Sequence, residues 1–223
     1  MKTVAIVQAR TTSERFPCKV FAALDGRPLL AHVLERAAAI RGVDRVVLAV
    51  PENDVRLMAH LWPDIYGGSE KDVLGRYAGA TAYYEADIII RITGDCPLLA
   101  PDLIGDALLV FHADNHGYMA MCQPYTPVAD GWDAEIFDQA TIKTASREAK
   151  KSQREHVTTW MRDSRDDTNV LCFPDWEDSR ALKCSVDTRE DLRRVEKIMQ
   201  HLTNKKDFTH HATWAAWEKA GRP

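Results

Sequence analysis

Residues 3 to 8 (TVAIVQ) form an apolar, largely β-branched run that gives way at once to polar residues. Such a run predicts a strand buried on both faces that empties into a loop. After Pro28 the spacing changes: Leu29, Leu30, Val33, Leu34 and Ala37 recur at helical intervals, Pro28 suits the first turn and Gly42 suits the stop. Residues 45 to 50 (RVVLAV) predict a second strand, Asn53 the cap of a short helix, and residues 72 to 84 a longer helix. Residues 86 to 92 (ADIIIRI) predict a third buried strand ending in Thr93-Gly94-Asp95. Pro101 opens a helix over 102 to 113, and 117 to 122 (GYMAMC) reads as a further strand. Short apolar strands alternating with helices of about 10 to 15 residues imply an α/β fold, Rossmann-like, with a mainly parallel sheet sandwiched by helices.

Beyond Gln123 the pattern loosens. A Pro-rich connection (Pro124, Pro127) leads to Gly131-Trp132-Asp133-Ala134-Glu135 and then to helical stretches near 138 to 149 and 153 to 163. The apolar runs 169 to 173 (NVLCF) and 181 to 186 (ALKCSV) read as returning strands. Thr188 with Asp191 fits a capping box that opens a long helix to about 202. The tail, 208 to 220, reads as an amphipathic helix with Trp214 and Trp217 on one side. At 223 residues, without internal repeats, the chain suits one domain spanning 1–223.

Composition narrows the function classes. A hydrophobic fraction of 45% and a charged fraction of 28% are those of a globular protein, and the net charge of -4 argues against a general nucleic-acid binder. Five cysteines, an odd number with no CxxC pair, favour free thiols in a reducing cytosol. The short N-terminal apolar run is too brief for a signal peptide, and no stretch approaches the roughly 20 apolar residues of a membrane span. The expectation is a cytoplasmic protein with neither a membrane nor a nucleic acid as partner.

The candidate chemistry starts directly after the first strand. Ala9-Arg10-Thr11-Thr12-Ser13-Glu14-Arg15-Phe16-Pro17-Cys18-Lys19 carries three cations, Arg10, Arg15 and Lys19, and three hydroxyls. Ligands of open α/β sheets sit beyond the carboxyl ends of the strands, where this loop belongs. Three charged hydrogen bonds to an anion would contribute about 5 to 9 kcal/mol before costs, against ~8 kcal/mol for micromolar binding. A solvated surface loop is the alternative; a Walker A loop is excluded because Gly-Lys-Ser/Thr is absent. Asp95 follows an apolar strand and is aimed at the same crevice, where it caps a turn or holds a cation. Asp187 also follows a run (KCSVD) and either caps the next helix or faces the site. Arg91 lies inside Ile88-Ile89-Ile90-Arg91-Ile92, so it requires either an anionic ligand or a structural salt bridge.

The segment VQARTTSERFPCKVFAALDGRPLLAHVLERA resembles the opening of the cytidylyltransferase superfamily that includes 3-deoxy-manno-octulosonate and acylneuraminate cytidylyltransferases. It is most similar to the branch named for spore coat polysaccharide biosynthesis proteins. The pattern Ala-Arg-x-x-Ser-x-Arg-x-Pro-x-Lys is met at Ala9, Arg10, Ser13, Arg15, Pro17 and Lys19, while Cys18 stands where glycine is common. GSEKDVLGRY (68 to 77), RITGDCPL (91 to 98), GWDAEIF (131 to 137), REHVT (154 to 158) and SVDTREDLRRV (185 to 195) follow in family order.

The resemblance implies a Mg2+-dependent transfer of CMP from CTP to an acidic small-molecule acceptor. It implies a nucleotide-binding half, 1–123, and an acceptor-binding and dimerisation half, 124–223, with a homodimer formed through the 124 to 163 region. Arg10, Arg15, Lys19 and Asp95 become the catalytic candidates. Gln8, Ala9, Ser13, Ser69, Arg76 and Thr93 join Arg10, Arg15 and Lys19 around the nucleotide, and Asp95 and Asp187 take the metal. Arg91, Asp133, Glu135, Arg154 and His156 are the acceptor-side candidates. Two other classes stay open: a glycosyltransferase using a nucleotide-sugar donor, which commonly carries an Asp-x-Asp pair where this chain has Asp95-Cys96-Pro97, and a noncatalytic nucleotide-binding subunit.

Overall fold

The computed structural model describes residues 1–113, 117–121, 127–164, 169–170 and 178–223. The expected Pro124 connection, the 171–173 end of one expected strand, and Cys122 and Cys172 lie outside the described residues.

The apolar runs at 3, 45 and 86 become adjacent strands: β1 (Thr3–Gln8), β4 (Arg45–Pro51) and β6 (Ile88–Thr93), with a two-stranded hairpin of β2 (Ala23–Leu24) and β3 (Arg27–Pro28) between the first two. The main sheet adds β5 (Ile65–Gly68), β7 (Tyr118–Met121), β8 (Ala134–Asp138) and β9 (Asn169–Val170), in the order β5-β4-β1-β6-β8-β7-β9. β5, β4, β1 and β6 run parallel, and β8 inserts antiparallel to both β6 and β7. Buried on both faces, β1 divides its side chains by period two: Ala5 and Val7 enter one core, Val4 and Ile6 the other.

The first core is closed by α1 (Leu29–Ala38), α2 (Val55–Met58), α4 (Pro101–Ala113), α7 (Arg189–Gln200) and α8 (His210–Lys219). The second is closed by α3 (Val73–Tyr83), α5 (Gln139–Glu148) and α6 (Thr159–Asp163). Three caps predicted or allowed by sequence are present. Asp72 accepts the Gly75 amide at the start of α3, Thr188 and Asp191 form the reciprocal box of α7, and Thr209 caps α8. The tail helix buries Trp217 and packs Trp214 against it, the rings tilted by 54° with centres 4.8 Å apart.

Three expectations are corrected. Residues 181–186 are not a strand: a single bridge joins Lys183 to Asp130, and the Cys184 and Val186 amides donate to the carbonyls of Asp130 and Asp95. Arg154, Glu155 and His156 do not begin a helix but form bends ahead of α6. Asn53 caps no helix, because it lies inside a 3₁₀ turn, Glu52–Asp54, ahead of α2; Asp133 sits just before β8, which contains Glu135. Among the described residues no helix is long and apolar enough to cross a membrane, and Cys18, Cys96 and Cys184 are free thiols.

Candidate active site

From β1 the chain steps outward to β4 and β5, then returns to lay β6 on the other side of β1, with Gln8 opposite Thr93. Loops leaving these two strand ends diverge, which opens a crevice at the switch in strand order. A cleft of about 400 Å³ lies there. Gln8, Ala9, Arg10, Ser13, Arg15 and Lys19 line it from the first loop, Arg76 from α3, Thr93 and Asp95 from the end of β6, and His156 and Asp187 from the far wall. Gly94 holds the two strand ends together: its amide donates to the Gln8 carbonyl at 2.8 Å, and a Cβ there would meet that oxygen at 2.7 Å.

The basic loop has a defined shape. The Thr11 carbonyl accepts the amides of Ser13 and Cys18, while the Thr11 amide and hydroxyl donate to the buried Asp54 carboxylate at 2.9 and 2.8 Å. Phe16 is buried under the Arg189 guanidinium, which lies 4.9 Å from its ring centre and ties the loop to α7. Cys18 adopts φ 56°, ψ 24°, the left-handed conformation in which glycine is unstrained, and the one-turn 3₁₀ helix that follows, Lys19–Phe21, buries Lys19.

Lys19 meets both candidate carboxylates. Its Nζ lies 2.7 Å from Asp95 Oδ2, 2.8 Å from the Val186 carbonyl and 3.2 Å from Asp187 Oδ1. Arg15 Nη2 reaches the same Asp187 oxygen at 2.9 Å. Burial pushes the Asp95 carboxyl up, but Lys19, Thr93 and Cys96 together hold it below the usual aspartate value. Asp187 is not the helix cap: Thr188 takes that place with Asp191, which leaves the Asp187 side chain facing the cleft cations.

The other two cations differ from Lys19 and Arg15. Among the described residues neither Arg10 nor Arg76 pairs with a carboxylate. Arg76 is 3% exposed, donates to the Ser69 carbonyl at 2.9 Å and leaves its Nε without a partner. Burial lowers its pKa, and the nearby Arg10 charge pushes the same way. An unneutralised, desolvated guanidinium in a cleft wall favours an anionic or acceptor-rich ligand. For the metal, Asp95 and Asp187 are hard oxygen donors of the kind Mg2+ selects, and one or two carboxylates completed by phosphate oxygens suffice. Among the described residues no three His, Cys, Asp or Glu side chains cluster in a way suited to a metal, so these two carboxylates form a partial set of donors.

Several predicted residues lie outside the cleft. Arg91 and Glu135 are register partners on β6 and β8, and the guanidinium donates to Glu135 at 2.6 Å. Glu135 also accepts from the hydroxyls of Tyr118 at 2.6 Å and Thr158 at 3.0 Å. The salt-bridge reading of Arg91 therefore replaces the ligand reading for both residues. Arg154 is corrected likewise, since it donates to both oxygens of Asp72, at 3.0 and 2.8 Å, and so braces the cap of α3. The Ser69 hydroxyl accepts the Asp72 amide, and Asp133 accepts the Gly131 amide.

Conversely, Glu14, Val20, Val73, Gly94 and Glu155 line the cleft without having been singled out, and Asp54 shapes the loop from behind. The available signal for Asp54 was its place just after β4, at the same end of the sheet.

The family described as Cytidylyltransferase matches residues 4–208. An uncharacterized protein of Methanocaldococcus jannaschii is 31% identical over 209 residues, 90% of this chain and 84% of that one. Spore coat polysaccharide biosynthesis protein SpsF of Bacillus subtilis is 29% identical over 220 residues, 92% of this chain and 89% of the relative. A 3-deoxy-manno-octulosonate cytidylyltransferase of Pelobacter propionicus is 33% identical over 111 residues, and the match spans only 44% of that protein. The fold matches the structure of a cytidylyltransferase from Leptospira borgpetersenii with a TM-score of 0.90 at 24% identity, covering 100% of this chain and 96% of the other. With this match running through the loop, both aspartates and the sheet that joins them, the chain belongs to the cytidylyltransferase family of nucleotidyl-transferring enzymes.

Proposed function

We propose that the chain transfers CMP from CTP to an acidic small-molecule acceptor, a sugar acid or a close chemical relative, with release of pyrophosphate and with Mg2+ as cofactor. The observation that carries the reading is the convergence of Asp95 and Asp187, distant in sequence, on one cleft with Arg10, Arg15, Lys19 and Arg76. The names of the relatives supply the nucleotide and the acceptor class.

Arg10 and Arg76, which pair with no carboxylate among the described residues, receive the phosphates, and Arg15 can leave Asp187 to join them. Asp95 and Asp187 would hold the divalent cation, which when bound neutralises phosphate charge. The acceptor oxygen bonds to the α-phosphorus as the bond to the α–β bridging oxygen breaks, giving the CMP-linked product and pyrophosphate. An acceptor that reacts through an ionised oxygen requires little general base, so positioning and charge neutralisation dominate. His156, exposed on the rim of the cleft, is the group we assign to the acceptor side.

The test is pyrophosphate release by Asp95→Ala and Arg15→Ala. Each is expected to slow turnover by about 10²-fold or more, the scale on which loss of a charge-stabilising group acts, while the circular dichroism spectrum is unchanged. Near-normal release by both variants would sink the assignment.

A further inference from the structure

The cleft described above leaves Lys19 with an unexpected environment. An ammonium has three N–H donors. In Lys19 they are taken by Asp95 Oδ2, the Val186 carbonyl and Asp187 Oδ1, at 2.7, 2.8 and 3.2 Å. The side chain is 11% exposed. With this set satisfied, no donor remains for a phosphate. Two carboxylates and one backbone carbonyl are also an all-oxygen set of the type that hard divalent cations select. The Val186 carbonyl is held from both sides, because the Val186 amide donates to the backbone carbonyl of Asp95 at 2.8 Å and Asp187 leads directly into the capping box of α7. The ring of oxygens therefore belongs to the framework, whereas Lys19 reaches it from a loop.

Resting on the cytidylyltransferase reading, we infer that the Lys19 ammonium fills the divalent-cation seat in the free enzyme, with Val186 O as a third oxygen of that seat beside Asp95 and Asp187. Two neighbouring carboxylates without a cation would repel one another, and Lys19 supplies the neutralising charge while the cleft is empty. A metal ion and the ammonium cannot occupy the same position among these three oxygens, so they compete. Phosphate oxygens offer Lys19 a replacement anion. Nucleotide binding thus draws the lysine off the seat, and metal and nucleotide bind with positive coupling.

The experiment is a Mn2+ titration of the nucleotide-free protein, read by electron paramagnetic resonance of the free ion, for the native chain, Lys19→Met and Lys19→Gln. Removal of the competing ammonium is expected to tighten Mn2+ binding by about tenfold or more, the scale of one charge-assisted hydrogen bond. Gln keeps a donor for Val186, so it provides the same reading if the Met variant does not fold. Because CTP itself chelates Mn2+, the coupling is read as a difference: CTP is expected to tighten protein-bound Mn2+ by about tenfold more in the native chain than in Lys19→Met. Unchanged or weaker Mn2+ binding in the folded variant would overturn the inference. Tightening by CTP that is equal in the native chain and in Lys19→Met would also overturn it, provided CTP itself binds when titrated in EDTA. Failure of CTP to bind in EDTA and in Mg2+ alike would instead remove the cytidylyltransferase reading, with the inference that rests on it.

Discussion

Glu135→Ala tests the most buried ion pair among the described residues. The carboxylate is 2% exposed and gathers Arg91 at 2.6 Å, Tyr118 at 2.6 Å and Thr158 at 3.0 Å, with Arg162 farther off at 3.9 Å. Three hydrogen bonds to a charged acceptor contribute about 1.5–3 kcal/mol each, less the several kcal/mol spent in desolvating the ions. The net loss on removing one partner of such a pair is about 3–5 kcal/mol, a large part of the roughly 5–15 kcal/mol available to a folded domain. With a urea slope of about 2.5 kcal/mol/M, the midpoint falls by ~1–2 M at unchanged slope.

The same carboxylate has a pH signature. Burial raises its pKa, but Arg91, Tyr118, Arg162 and Thr158 outweigh burial and hold it below the ordinary glutamate value of 4.5. The stability gained from ionised Glu135 is therefore fully present above that value and is lost as pH falls through the lower, folded-state pKa. Glu135→Gln should lose stability at neutral pH and show a shallower acid limb. A loss under about 1 kcal/mol in Glu135→Ala, together with a raised Michaelis constant for the acceptor, would refute the structural assignment and return Glu135 to the substrate.

Two further outcomes follow from the loop. Asp54→Ala removes the acceptor of the Thr11 amide and hydroxyl, so steady-state kinetics should show KM for the nucleotide raised about tenfold, with Asp54→Asn in between; an unchanged KM would mean the loop holds its shape without this anchor. Cys18→Gly relieves a left-handed residue, which costs about 1–2 kcal/mol, against the roughly 0.5–1 kcal/mol of added chain entropy, so the melting temperature should rise by about 1–3 °C; a fall would show that the conformation carries no strain.

Much of the parallel half was legible in the chain. β1, β4 and β6 are continuous apolar runs buried on both faces, and the capping box of α7 is written in Thr188 and Asp191 themselves. β5 was not legible, because Ile65-Tyr66-Gly67-Gly68 has neither length nor an apolar run and is a strand only through its pairing with β4. The apolar run at 181–186 misled in the opposite direction. Leu182, Cys184 and Val186 are buried as the pattern required, but their neighbours are loops, so burial arose without a ladder.

The site divides in the same way. The loop cations, Asp95 and Asp187 could be read because each follows a strand or an apolar run at one end of the sheet. The pairings that remove Arg91 and Arg154 from the ligand could not. They join residues 44 and 82 positions apart, and only the antiparallel insertion of β8 and the bends before α6 bring them together. Whether Arg15 and Lys19 begin bound to carboxylates is likewise a matter of packing.

Cytidylyl transfer is the reaction proposed for the cleft between β1 and β6. Its most direct test is pyrophosphate release measured for four nucleoside triphosphates against a panel of sugar acids and other acidic acceptors, with Mg2+ present. Release is expected with CTP and one class of acidic acceptor, with a CMP-linked product of matching amount, and both are expected to be lost in Asp95→Ala. Release with another nucleotide in place of CTP, or sugar transfer from a nucleotide sugar without pyrophosphate, would contradict it.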